Sequence, residues 1–108
     1  MSDANVSALS ALSTVQEVSA NNIANMNTDG FRAGAVSLES GPGGQGVEVA
    51  SITESTAPGA FINGVETSNT DVGREMVDMI VTSRAFEANT TFIRASEEMT
   101  GHLLDMIA

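Results

Sequence analysis

The chain has 108 residues, with 14 acidic side chains against four basic ones, all arginine, for a formal net charge of −10. Such a surface repels nucleic-acid phosphates and anionic lipid, so the expected partner is protein, and the lack of cysteine removes disulfides, thiolate metal sites and cysteine nucleophiles. A chain this short buries only about 60–70% of its unfolded surface, which makes support from partner chains an expected source of stability.

Residues 4–26 carry Val6, Ala8, Leu9, Ala11, Leu12, Val15, Val18, Ile23 and Met26 at spacings near three and four, without glycine or proline. This spacing predicts an amphipathic helix of roughly 33 Å. No apolar run approaches the roughly 20 residues of a spanning helix, and no basic segment precedes an apolar one, so neither membrane insertion nor a cleavable signal is expected. The helix ends in an unusual stretch, with Asn21, Asn22, Asn25 and Asn27 inside seven residues, followed by Thr28, Asp29, Gly30 and Phe31. Asparagine competes with the backbone for hydrogen bonds and favours helix ends and turns. The amides are therefore expected to bond free carbonyls of their own or a neighbouring chain, with Gly30 in the left-handed conformation that closes the helix.

Residues 27–69 hold eight of the ten glycines and both prolines, and read as turns and short strands. Within them GPGGQG, residues 41–46, matches the dinucleotide-binding pattern G-x-G-x-x-G, but that loop functions only where it opens a helix. The alternating GVEVASI that follows predicts a strand, so the glycines are expected to make a turn. Val47, Val49 and Ile52 mark that strand, and Ala60 to Val65 a second, tight pairing around Asn63-Gly64.

Residues 70–107 return to helical spacing over roughly 55 Å, with Asn69 or Thr70 as the expected N-cap and Asp71 and Glu75 near the positive end of the helix dipole. Arg74 with Asp78, Arg84 with Glu87, and Arg94 with Glu97 or Glu98 are spaced as solvated ion pairs. The apolar residues form two stripes. One runs Met76, Met79, Phe86, Ile93, Leu104, Ile107; the other runs Val77, Val81, Ala88, Phe92, Ala95, Met99, Met106. One partner helix cannot cover both, so the N-terminal helix is expected on one stripe and other chains on the second.

Catalytic chemistry is not expected. His102 is the only histidine and has no orienting partner in the sequence, the methionines fall mainly on the apolar stripes, and Asn27-Thr-Asp-Gly lacks the carboxylates of a calcium loop. No enzyme activity, cofactor, metal or small-molecule substrate is therefore expected.

SANNIANMNTDGFRA resembles the N-terminal signature of the bacterial flagellar basal-body rod and hook proteins, and the segment from Ser68 to Ile107 resembles their C-terminal signature. Asn21, Asn22, Ile23, Ala24, Asn25, Asn27, Thr28 and Gly30 match the first; Asp29 stands where the family usually has Pro and Phe31 where it has Tyr. Glu75, Met76, Val77, Met79, Ile80, Arg84, Ala85, Glu87, Ala88 and Asn89 match the second, with Phe86 replacing Tyr. Apolar Phe92, Ile93, Met99, Leu103 and Met106 complete the expected assembly residues. The resemblance, closest to the short proximal-rod type, implies a mainly α fold in which long N- and C-terminal helices pair as a coiled-coil-like unit through a short Gly-rich β connector. It divides the chain into 1–33, 34–68 and 69–108. It further implies a rod subunit located in the periplasmic part of the basal body and exported from the cytoplasm without a cleaved signal. The implied partners are further copies, other rod and basal-body proteins and the flagellar export apparatus. A soluble helical regulatory module derived from the same family is the alternative, and cell fractionation separates the two.

Overall fold

Two helices joined by two small antiparallel ribbons make up the chain, whose computed structural model describes residues 3–107. Helix α1 spans Asp3–Ala24 and helix α2 spans Val72–Ile107, 22 and 36 residues long. Between them lie β1 (Gly34–Ser40), a short 3-10 turn (Pro42–Gly44), β2 (Val47–Glu54), β3 (Phe61–Ile62) and β4 (Val65–Glu66). The architecture is mainly helical, as expected.

The buried edge of α1 repeats by fours and threes. Ala4, Ala8, Ala11, Val15, Ser19 and Asn22 are buried or half-buried, with Ala11 at 3% exposure and Asn22 at 1%. The facing edge of α2 has the same rhythm in Glu75, Met79, Thr82, Asn89 and Ile93, all buried or half-buried. The helices run antiparallel: Asn22 bonds Glu75 at one end, and Leu12 and Gln16 share a groove with Thr82 and Phe86 farther along. Small alanines on α1 permit this close approach, and they explain why the edge of α2 they meet is partly polar.

Strands β1 and β2 pair antiparallel and lie against α1, with a bulge between Ser37 and Leu38. The expected strand at Val47 is thus present, while β1, signalled by Val36 and Leu38 alternating with Ser37 and Glu39, is an addition to the sequence expectation. GPGGQG links the two strands and opens no helix of phosphate-binding length, in keeping with the turn reading. Its Gly46 is required twice over: φ is +76°, and a Cβ there would lie 2.4 Å from the Ser7 hydroxyl of α1. Asn63 and Gly64 both take positive φ and close the β3–β4 hairpin as a two-residue turn.

Several expectations are corrected. The N-cap of α2 is Asp71, whose Oδ1 accepts from the Arg74 amide at 3.1 Å, because Asn69 is occupied elsewhere. Gly30 is left-handed, at φ +73°, but stands six residues beyond the end of α1 and turns the following loop instead of closing the helix. Of the three expected helix ion pairs, Arg84–Glu87 forms, at 3.5 Å; the other ion pair among the described residues is Arg32–Glu66, at 2.7 Å. Arg74 and Arg94 are exposed, where solvent competes for the guanidinium.

The helical pair leaves most of its apolar surface open. Among the described residues Ala11 is the one apolar side chain that is fully buried. The accessible surface is 7305 Å², against about 5,700 Å² for a self-contained protein of this mass. The radius of gyration is 19.0 Å, against about 13 Å for a compact domain of this length, and the molecule measures 74 × 26 × 13 Å.

Candidate assembly site

Asn22 sits two residues before the end of α1, where the helix meets both β1 and α2. Its Oδ1 accepts from the Gly34 amide at 2.9 Å, while its Nδ2 donates to the Gly34 carbonyl at 2.9 Å and to Glu75 Oε2 at 3.0 Å. A side-chain amide has the same donor and acceptor pair as a peptide unit, so Asn22 pairs with Gly34 as another strand would. Gly34 is a fitting partner because a Cβ there would come within 3.3 Å of Val18 Cγ1. One buried side chain thereby ties three elements together.

The neighbouring motif residues shape the turn. The Asn21 carbonyl accepts from both the Asn25 amide, at 3.1 Å, and Asn25 Nδ2, at 2.9 Å, and Thr28 Oγ1 donates to Asn25 Oδ1 at 3.0 Å. The Gly30 amide then reaches the Glu66 carbonyl at 2.8 Å, and the Asn69 amide donates to the Phe31 carbonyl at 3.2 Å. Asn69 Oδ1 accepts from the Ala33 amide at 2.7 Å, and its Nδ2 donates to the Ala57 carbonyl at 2.8 Å. Arg32 joins Glu66 in an ion pair and also donates to the Ala57 carbonyl. The two sequence motifs, far apart in the chain, thus meet in one network. Asn69 was expected only as a cap; its pairing with residues 33 and 57 carries no local sequence signal.

The remaining expected residues divide by exposure. Asn22 is buried, and Ile23, Asn25, Phe31, Glu75, Met79, Asn89 and Ile93 are half-buried, whereas Asn21, Asn27, Thr28, Gly30, Arg84 and Glu87 are exposed. Met76, Ile80, Phe86, Phe92, Met99, Leu103 and Met106 are exposed apolar side chains, reaching 80% at Met106. The first apolar stripe is therefore only partly covered by α1, at Met79 and Ile93, and Thr82 and Asn89 fill seam positions that apolar counting skipped. The second stripe, from Val77 and Val81 through Phe92 to Met106, faces solvent throughout its large side chains. No helix among the described residues is long and apolar enough to cross a membrane.

Comparison with known proteins matches both halves of this network. Residues 3–32 match the family model described as flagella basal body rod protein, and residues 63–106 match that of the flagellar basal body rod FlgEFG protein C-terminal region. The flagellar basal-body rod protein FlgC of Bacillus subtilis is 31% identical, over 93% of this chain and 91% of the relative. The chain belongs to the flagellar basal-body rod protein family. Borreliella burgdorferi supplies two further rod relatives: FlgC, 41% identical over 52% of this chain and 47% of the relative, and FlgG, 38% identical over 70% of this chain and 29% of the relative. The chain thus spans less than half the length of either Borreliella protein. The Bacillus alignment extends over 137 positions, so that rod protein carries residues for which this shorter family member has no counterpart. Among rod proteins it is most like the short, proximal type.

Proposed function

We propose that this chain is a non-enzymatic structural subunit of the flagellar basal-body rod, assembling with further copies and with other rod proteins through its terminal helices. The observation that carries the reading is the uncovered apolar face of α2, beside an accessible surface about 1,600 Å² larger than a self-contained protein of this mass shows. A standard protein–protein interface takes about 800 Å² from each partner, so this excess corresponds to about two such contacts on one chain. The fours-and-threes seam between α1 and α2 supports coiled-coil-like pairing within the subunit, and the opposite face of α2 is then free for neighbours. Closely packed helices resist shear, the property an axial drive shaft requires, and a ring of such subunits would enclose an export channel.

The network around Asn22, Glu75 and Asn69 supports a division of labour. Residues 1–33 and 69–108 supply the assembling helices, and 34–68 fix the angle between them. Family membership implies location in the basal body, and delivery by the flagellar export apparatus is a further part of the same proposal. Detection of the tagged chain in purified basal bodies tests it. Presence in the rod fraction is the expected result; confinement to the soluble cytosolic fraction would replace the rod reading with that of a helical regulatory module.

A further inference from the structure

We propose that the β3–β4 hairpin of one copy docks into the groove between α1 and α2 of a second copy, an inference that rests on the assembly reading above and names its contact. The hairpin presents Phe61, Ile62 and Val65 at 66%, 60% and 47% exposure. Large apolar side chains on so short a hairpin are a liability unless something covers them. The hairpin is also fixed in place. Its base is closed by the Thr67 amide and hydroxyl on the Ala60 carbonyl, at 2.7 and 2.9 Å, and it is anchored to the Asn-rich turn through Gly30 and Arg32.

The groove has a volume of about 270 Å³ and is lined by Leu12, Ser13 and Gln16 of α1 and Thr82, Phe86 and Glu87 of α2. A cavity of about 150 Å³ holds a benzene ring, so this one seats the Phe61 ring with space for an aliphatic neighbour. On its wall Gln16 Oε1 is buried without a hydrogen-bond partner among the described residues. The hairpin of the same chain is pinned where α1 ends and α2 begins, about 15–20 Å along the helices from Thr82 and Phe86, so it cannot fill its own groove.

Charge makes these the surfaces at which a second copy meets the first with least repulsion. Two chains of net charge −10 repel, and contact between them is least costly where neither surface is charged. The one ionisable residue of the hairpin, Glu66, is paired with Arg32 at 2.7 Å, and the one in the groove, Glu87, is paired with Arg84 at 3.5 Å. Hairpin and groove are different surfaces of the same molecule. A head-to-tail contact of this kind leaves a free hairpin at one end and a free groove at the other, so it propagates into a ring or an open helical array according to the rotation between copies.

The chain is free of cysteine, which makes the contact directly testable. Copies carrying Ile62→Cys are mixed with copies carrying Ser83→Cys, at the groove, or Val77→Cys, on the opposite side of α2, and oxidised. The expected result is a disulfide-linked dimer from the Ser83→Cys mixture, with little from the Val77→Cys mixture. Phe61→Ala should weaken association in sedimentation at least about tenfold, as loss of a buried aromatic anchor does, with the circular dichroism of the monomer unchanged. No cross-link, or equal yields from both mixtures, overturns the contact whether or not the protein assembles by another route. Presence of the chain in basal bodies would in that case leave the rod reading intact.

Discussion

A buried asparagine near a helix end is costly unless all its polar atoms are paired, and the full pairing of Asn22 makes it a device for holding β1 and α2 to α1. Asn22→Ala should lower stability by about 1–3 kcal/mol in chemical denaturation, since it strands the half-buried Gly34 groups and removes a donor from Glu75. Asn22→Asp should do no better, because it loses both donated bonds and sets a second carboxylate beside Glu75. A loss below about 0.5 kcal/mol for the alanine change would mean that water replaces the amide. The clustering of asparagines was legible as a helix end from residue chemistry alone. Which of them mattered was not, since Asn21, Asn22, Asn25 and Asn27 are alike in sequence, and what separates Asn22 is contact with Gly34 and with Glu75, 53 positions away.

At the scale of elements, periodicity located both helices within a few residues, because three-and-four spacing reports one-sided burial whatever the partner. It misassigned the seam of α2. Apolar counting assumes that a covered face is greasy, whereas buried Thr82 and half-buried Asn89 lie on the covered face of α2, leaving Val77, Val81 and Phe92 outside. Two substitutions separate the faces. Ala11→Leu, at 3% exposure, should overpack the seam and cost about 1–3 kcal/mol in thermal or urea unfolding. Ala88→Leu, on the exposed side, should leave the monomer within about 0.5 kcal/mol and act only on assembly. The β1–β2 ribbon carries its own signature in the cross-strand pair Glu39 and Glu48. Glu48 holds its proton above the ordinary carboxylate range, chiefly through the hydrogen bond its protonated form makes with Glu39, then through desolvation and the Glu39 charge. A carboxyl with a folded-state pKa raised in this way stabilises the fold below its unfolded value, and that stability is lost as pH rises through the raised one. Glu48→Gln should therefore flatten the decline in melting temperature through and just above the carboxylate range, and leave the variant slightly more stable than the parent at pH 7.

For the whole molecule, the decisive fact is the mismatch of helix lengths. α2 has 36 residues and α1 has 22, and since the two run antiparallel from the Asn22–Glu75 contact, α1 is spent before α2 reaches its last three turns. Residues 97–107 are exposed without exception, Met99, Leu103, Leu104, Met106 and Ile107 among them at 59–80%. A helical segment of about eleven residues is marginal in water when no tertiary contact supports it. Dilute protein should therefore show fewer helical residues by circular dichroism than α1 and α2 together contain, and helix content should rise as concentration drives copies onto one another. Deletion of residues 99–108 sharpens the prediction. It removes no buried side chain among the described residues, so the melting temperature of the remaining monomer should be unchanged, while the concentration-dependent gain in helix and the assembly of rods should both be lost. Rods of normal length from the truncated chain would show that the overhang is not an assembly surface. A lowered monomer melting temperature would show instead that the last turns of α2 fold back onto their own chain.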